Sequence, residues 1–480
     1  MSAAESGKPL IVDLDGTLSN GDISYELCIK HLKEKKFIGF FDLLKGIYMG
    51  KAFLKKFLSD KYLQDFDPEF LPYNKDIFEK SDFKNRKMIL VSGSPNAFVS
   101  KVAEHLKIFN FSKGSSEEIN LIGKNKLDFI KSNFGKDFDY IGNSKDDIPL
   151  WEEADKSYGI NINSNTANEA KKKGINLEII STKKSLFKTV IQSMRIHQWF
   201  KNILVFAIPF LNINNFNNDW IHLLLLTFVS FGLVASATYL LNDLLDIDSD
   251  RRHKSKKFRP IPSGDLSIPF AIITILILFS LGFFLSSIVG INLILILGAY
   301  ALLSTTYSFF LKKIAILDVM TLSFLFCWRV FTGGVVLSLE VNVWFMLSLG
   351  FIFLSLALGK RFIELRKTNS SQSDQSKLSL PGRGYKPDDN IFIMSSGIAA
   401  GFTALVIILI YFMLTLSKVV SNDISIISII FLIVWWFLRF WLLMMRDLVN
   451  DDPIVFALKD NISRATLSLI VLILLAEQIL

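Results

Sequence analysis

The sequence predicts two folds in one chain, an N-terminal α/β, Rossmann-like domain over residues 1–185 and a C-terminal all-α membrane bundle of about nine transmembrane helices over 186–480. Three observations support this. Composition changes abruptly near residue 185, from Lys-, Asp-, Glu- and Asn-rich sequence with short apolar runs to long apolar stretches. Before that point, apolar strand-like runs end in acidic or Gly turns. After it come stretches of about 20 apolar residues, enough to cross a hydrocarbon core of roughly 30 Å. The mean hydropathy of +0.39 therefore averages two unlike parts.

In the first part, KPLIVDLDGTL (8–18) reads as a short strand that delivers Asp13 and Asp15 into a Gly-Thr turn. Strand tips of open α/β sheets are where ligands bind, and Asp-x-Asp sets a nucleophile beside a proton donor. KMILVSGSP (87–95) is a second strand ending in Ser92 and a Gly turn. GKNKLDFIKSNFG (123–135) places Lys126 at the start of an amphipathic helix. FDYIGNSKDDIPLW (138–151) is a third strand running into an acidic loop with Asn143 and Asp147.

These four pieces, in this order, resemble the haloacid dehalogenase superfamily of phosphatases over roughly residues 8–180. The resemblance implies that Asp13 is the nucleophile forming an aspartyl phosphate and Asp15 the acid/base. It further implies that Ser92 and Lys126 bind the phosphoryl group, and that Asp147 holds Mg²⁺ with Asp13, in a set that also takes in Asp15 and Asn143. Residues 19–86 stand where such phosphatases carry a helical cap. The family loop usually reads Gly-Asp where this chain has Gly142-Asn143; an amide adds no charge, so weaker metal binding is expected.

In the second part, spans are expected at about 186–211, 219–241, 268–287, 289–308, 315–337, 343–359, 391–416, 424–444 and 465–480. Nearly all the basic residues of this part follow the second, fourth, sixth and eighth spans, while the intervening loops offer only Lys418. The positive-inside bias makes the basic loops cytoplasmic and the N-terminal domain with them, in a multi-pass protein of the inner (cytoplasmic) membrane. The formal charge of +8 thus reports topology rather than nucleic-acid binding. Two distant cysteines, Cys28 and Cys327, argue against a disulfide framework, and MSAAESGKPL lacks the pattern of a signal peptide.

YLLNDLLDIDSDRRHKSKKFRPIPSG (239–264) carries Asn242, Asp243, Asp246 and Asp250 in the pattern N-D-x-x-D-x-x-x-D. Spacings of three and four set the carboxylates on one helical face, where they repel unless a cation neutralises them. Hard oxygen ligands suit Mg²⁺ completed by substrate phosphates, and the basic run ending in Arg259 suits diphosphate oxygens. TTYSFFLKKIAILDV (305–319) adds Tyr307, Lys312 and Asp318. Arg329 falls two to three turns into a span, a functional position by default and a candidate for binding substrate; the alternative role is pairing with one of these aspartates within the same site. LALGKRFIEL adds Lys360, Arg361 and Glu364; RIHQWFKN adds Arg195, His197 and Lys201; and the polar stretch 367–390, carrying Arg383 and Tyr385, could close over the site.

Together these features resemble the UbiA superfamily of intramembrane prenyltransferases. The segments RIHQWFKN, RRHKSKKFRPI, YSFFLKKIAILDV, RVFTGG, LALGKRFIEL and DPIVFALKD resemble its decaprenyl-phosphate phosphoribosyltransferase branch. That resemblance implies Mg²⁺-dependent transfer of 5-phosphoribose from its diphosphate to a polyprenyl phosphate, with the fused phosphatase removing the product's 5-phosphate. The alternative is transfer of a polyprenyl group to an aromatic or other small acceptor. Both readings imply a lipid-linked polyprenyl substrate, a small diphosphate substrate and no nucleic acid. A transporter is disfavoured, because the carboxylates crowd one membrane face and no strong inverted repeat is evident. Oligomeric state is left open.

Overall fold

The computed structural model describes residues 8–83, 86–116, 119–215, 217–370, 383–414, 423–449 and 453–479. The chain forms two compact units, one of Met1–Arg195 with Tyr239–Ile277 and one of Ile196–Thr238 with Leu278–Leu480.

The first unit is built on a six-stranded sheet of β1 (Leu10–Val12), β2 (Met88–Pro95), β3 (Phe111–Ser115), β4 (Asp139–Gly142), β5 (Ser157–Gly159) and β6 (Leu177–Ile179). The strand order is β3-β2-β1-β4-β5-β6 and every pairing is parallel. Side chains alternate between two cores: Leu10, Val12 and Leu90 enter one, while Ile11, Ile89 and Val91 enter the other. Burial on both faces explains why LIV and MILV are unbroken apolar runs rather than alternating ones. The strand order reverses between β1 and β4, the switch point at which open parallel sheets bind ligands. Asp13 follows β1 at that point, and its N–H donates to the Ile141 carbonyl at 3.2 Å.

The expected helical pattern over 19–86 forms the helices Ile23–Met49, Lys51–Tyr62 and Lys75–Glu79. Asp22 caps the first, its carboxylate accepting from the N–H groups of Ser24 (2.9 Å) and Tyr25 (3.2 Å). The helix changes direction at Lys36, which sits at φ 55°.

Among the described residues, seven helices are long and apolar enough to cross a membrane: Asp219–Leu245, Ile268–Val289, Ile291–Phe309, Leu317–Val336, Val343–Lys367, Pro387–Leu414 and Ile424–Met445. The expected ninth span falls on the helix Asn461–Ile479, whose apolar stretch Asn461–Ala476 is shorter than those seven, so nine spans are not confirmed. The expected first span is not one helix. Leu186–Met194 ends at Arg195, whose φ of 51° closes that helix, and residues Ile196–Phe206 form a 3₁₀ stretch before the short helix Ala207–Leu211. Polar bonds from RIHQWFKN to the helix Asp219–Leu245 accompany this geometry: the Trp199 indole N–H donates to Ser236 Oγ at 2.9 Å, and the Asn202 amide donates to the Phe228 carbonyl at 3.4 Å. Gly333 of the RVFTGG motif serves the same segment, because a Cβ there would stand 1.8 Å from the Val205 carbonyl oxygen. Residues 371–382 of the stretch 367–390 lie outside the described residues.

Candidate active sites

At the β1 tip, Asp13 and Lys126 form a buried ion pair at 2.8 Å. The Lys126 ammonium also donates to Tyr140 Oη at 3.2 Å and lies 3.9 Å from Asp147. Lys126 reaches this point because it enters on the first turn of the helix Lys124–Phe134. Burial opposes its charge, but Asp13 and Asp147 outweigh burial and hold the Lys126 pKa above its ordinary value. Burial pushes the Asp13 carboxyl up to about 7; Lys126 opposes that rise, while Asp147 and Asp15 add to it.

Asp15 is held differently. It accepts from Ser94 Oγ at 2.6 Å, Ser92 Oγ at 3.1 Å and the Ile23 N–H at 3.1 Å. Burial, helped by Asp22, pushes its carboxyl up to about 6. Ser92 was expected to bind a phosphoryl group, but in this state its hydroxyl orients Asp15. Ser94 escaped the sequence reading, although its hydroxyl makes the shorter bond.

Asp147, an expected metal ligand, organises the loop after β4. Its Oδ2 accepts from the N–H groups of Asn143 and Ser144, both at 3.0 Å, and its Oδ1 accepts from Tyr140 Oη at 2.6 Å. Asn143 lies against Gly16, where a Cβ would stand 1.9 Å from Nδ2; with φ of +76° as well, only glycine fits. Asp15, Gly16, Asn143, Asn161, Lys183 and Lys184 line a cavity of about 450 Å³ whose further wall is residues 264–269. The carboxylates, the buried ammonium and the open cavity form a constellation suited to attack on a phosphate ester. Asp13 and Asn143 offer oxygens for a divalent cation beside that cavity.

The N-D-x-x-D-x-x-x-D segment departs from the expected single helical face. Asp246 (φ −105°, ψ 14°) interrupts the helix after Leu245, and a short helix, Ile247–Arg251, follows. The carboxylates pair with cations, and two of them share one. Arg195 forks onto Asp243, reaching Oδ2 at 2.5 Å, while Asp246 lies 3.5 Å from Lys33. Arg259 Nη1 joins the outer two, donating to Asp243 at 3.0 Å and to Asp250 at 2.6 Å. Burial raises the Asp250 pKa, opposed chiefly by Arg259. Asn242 sits one residue before Asp243 at the end of the helix Asp219–Leu245. Arg251 turns away from the carboxylates: its guanidinium pairs with Glu26 at 2.7 and 2.8 Å, and its Nε donates to the Pro262 carbonyl.

Among the described residues, no three His, Cys, Asp or Glu side chains converge on one point. Two do so around Arg259, where a single cationic nitrogen holds oxygens of Asp243 and Asp250. That donor set fits Mg²⁺, which is commonly held by one or two carboxylates and completed by waters and substrate phosphates.

In the second unit, Asp318 opens the helix Leu317–Val336 and is fully buried. It accepts from Arg361 Nε (2.5 Å) and Nη2 (3.1 Å), from Arg383 Nη1 (2.9 Å) and from Tyr307 Oη (2.7 Å). Glu364 balances the second guanidinium, lying 2.6 Å from Arg361 and 3.6 Å from Arg383. Lys312 is buried in the 3₁₀ turn Leu311–Lys313, and Lys360 precedes Arg361 on its helix.

Among the described residues, Arg329 pairs with no aspartate, which leaves its alternative role unfilled. It donates to Asn202 Oδ1 (3.2 Å), the Leu325 carbonyl (2.8 Å) and Tyr300 Oη (2.8 Å), and it faces the rings of Phe231 and Tyr300 at 5.1 Å. A delocalised cation can be held by neutral acceptors and aromatic faces. Neither Asn202 nor Tyr300 carried a signal of its own. Of the late motif, Arg439 and Asp460 form a two-bond pair at 2.7 and 3.1 Å.

The apolar helices define a membrane protein, and the chain belongs to the UbiA prenyltransferase family, whose model matches residues 203–459. Among its relatives is uncharacterized protein y4nM of Sinorhizobium fredii, 32% identical over 95% of this chain and 88% of that protein. The decaprenyl-phosphate phosphoribosyltransferase of Corynebacterium glutamicum is 36% identical over 38% of this chain, and the match covers 56% of that enzyme. A solved structure described as a UbiA homolog from Archaeoglobus fulgidus bound to GPP and Mg²⁺ aligns with TM-score 0.44 and 15% identity, over 61% of this chain and 100% of that one.

Proposed function

We propose that this chain transfers 5-phosphoribose from phosphoribosyl diphosphate to a polyprenyl phosphate, and that its N-terminal domain, about residues 1–185, is a haloacid dehalogenase-like phosphatase acting on the phosphorylated product. The observation that carries the transferase half is the pair Asp243 and Asp250, drawn onto one cationic nitrogen with Arg195 and Lys256 close by. Similarity to the phosphoribosyltransferase of Corynebacterium glutamicum supports the choice of donor.

In this reading Asp243 and Asp250, with Asn242 and Asp246, would hold Mg²⁺, which when bound stabilises a departing pyrophosphate. With the ion held by those carboxylates, Arg259 would offer its charge to the diphosphate oxygens. Lys312, Lys360, Arg361, Arg383 and Tyr307 serve the anionic groups of the substrates, and the buried Asp318 fixes the direction of both guanidiniums. The polyprenyl phosphate oxygen attacks C1 of the ribose as the C1–O bond to pyrophosphate breaks.

In the phosphatase, an Asp13 oxygen attacks phosphorus and the ester P–O bond breaks. Asp15 gives its proton to the leaving oxygen; water then attacks the aspartyl phosphate, Asp15 takes the proton back, and inorganic phosphate departs. Lys126 neutralises the charge spread over the phosphoryl oxygens. The basic loops argue for a cytoplasmic N-terminal domain in the inner membrane.

The family's description as prenyltransferases supports a second reading, prenyl transfer to a small acceptor. Incubating purified protein and Mg²⁺ with polyprenyl phosphate and ribose-labelled phosphoribosyl diphosphate tests the first. Label entering the lipid fraction supports it, and lipid that stays unlabelled refutes it.

A further inference from the structure

Within the first unit, the helix Ile23–Met49 has two apolar faces after its change of direction at Lys36. One is buried: Gly39, Leu43 and Gly46 face the core, where Leu43 joins Leu27, Leu58 and Tyr62. The other is exposed among the described residues. Of the nine exposed positions from Phe37 to Met49, eight are apolar (Phe37, Ile38, Phe40, Phe41, Leu44, Ile47, Tyr48 and Met49) and one is Lys45. Phe37 is 77% exposed and Tyr48 93%. Phe37, Phe41, Leu44 and Tyr48 recur at helical spacing, so the exposure is a continuous stripe rather than scattered single residues. Phe53 on the helix Lys51–Tyr62 adds to it at 42% exposed.

Charge identifies what covers this stripe. The other exposed positions between 34 and 60 are Lys35, Lys36, Lys45 and Lys56 against Glu34 and Asp60, an excess of cations around an aromatic face. That composition matches helices that lie in the headgroup layer of a bilayer, where lysines meet lipid phosphates and aromatic side chains sink below them. A water-facing helix would carry charge at these positions instead. The same unit also contains Ile268–Ile277, the first residues of a membrane-capable helix with Leu276 61% exposed, so the unit is already continuous with the bilayer.

We infer that residues 37–53 form an interfacial anchor that dips the helical pair Ile23–Tyr62 into the headgroup layer of the bilayer that the chain's own helices cross. A phosphatase held this way meets phosphate esters attached to lipid, although the anchor stands independently of that activity.

The test uses the full chain in nanodiscs of phosphatidylethanolamine and phosphatidylglycerol, loaded with one copy per disc. Cys28→Ser and Cys327→Ser clear the background, and a nitroxide is attached at Phe37→Cys or Tyr48→Cys. Leu276→Cys serves as the lipid reference and Asn133→Cys, exposed on a polar helix, as the water reference. Relaxation by oxygen and by a water-soluble nickel chelate is compared. The anchor predicts an oxygen-to-nickel ratio at both reporters several-fold above that at 133 and approaching that at 276. A ratio equal to that at 133 overturns it. Nickel exclusion that arises only in discs holding two copies, with dipolar broadening between labels, also overturns it, in favour of a second copy as the cover.

Discussion

Arg361→Met, Asp318→Asn and their combination should show strong coupling. Asp318 is 0% exposed and Arg361 1%, and Asp318 accepts from four donors, two of them on Arg361. Removing one partner of a buried pair costs about 3–5 kcal/mol, because the other charge stays buried without compensation. Tyr307 and Arg383 remain on Asp318 in Arg361→Met, which puts the expected cost near the lower end, about 3 kcal/mol. Asp318→Asn keeps the shape but leaves Arg361 and Arg383 with Glu364 alone, again at about 3 kcal/mol. The double variant restores the balance as one Arg383–Glu364 pair. Its cost should therefore stay near about 3 kcal/mol rather than about 6, a coupling of about 2–3 kcal/mol. Thermal unfolding of the full chain in one detergent at one scan rate, followed by tryptophan fluorescence, reads this out at about 2–4 °C per kcal/mol. A double variant whose shift equals the sum of the two single shifts would refute the claim that these groups act as one buried unit.

Other expectations follow from the first unit. The Asp15 pKa is raised to about 6, so the proton it donates is present below that pH and is lost as pH rises through it. Aryl phosphate hydrolysis should show a limb falling above about pH 6 that disappears in Asp15→Asn; a flat profile across that range would exclude Asp15 as the acid. Gly16→Ala places a methyl group against Asn143 in a backbone that disfavours it, and hydrolysis should fall at least about tenfold, because a displacement of an ångström in an active site costs that much or more. Wild-type rates in that variant would show that Asn143 is not needed where it lies. Asp13→Asn and Asp243→Asn should separate the activities, the first abolishing phosphate release while lipid labelling continues and the second abolishing labelling. Loss of both activities in either variant would contradict the assignment, with labelling followed on the lipid and phosphate release followed on a separately supplied aryl phosphate.

The parts visible in the sequence were those fixed by local pattern. LIVDLDGT and MILVSGSP read as strands because strands buried on both faces need unbroken apolar runs, and Lys126 stood out because it opens a helix. The helix Asp219–Leu245 matched its hydropathy. What remained hidden depended on partners distant in sequence. Ser94 reaches Asp15 across 79 positions, and Asn202 meets Arg329 across 127, contacts that no spacing rule encodes. The single acidic face at 243–250 was expected from periodicity alone. It gave way because Arg195, Arg259 and Lys33 divide the carboxylates among them and the backbone leaves the helical region at Asp246. The segment 186–211 was apolar enough to be read as a span, yet side-chain hydrogen bonds from Trp199 and Asn202 accompany its 3₁₀ geometry.

The donor decides the central claim most directly. Purified full-length protein in Mg²⁺ is offered equal amounts of ribose-labelled phosphoribosyl diphosphate and a labelled prenyl diphosphate, together with polyprenyl phosphate and an aromatic acceptor, and the products are resolved by mass. Phosphoribosyl transfer predicts a polyprenyl phosphate enlarged by ribose 5-phosphate, with a dephosphorylated form accumulating later and neither appearing in Asp243→Asn. A prenylated acceptor with the phosphoribosyl diphosphate untouched would contradict it.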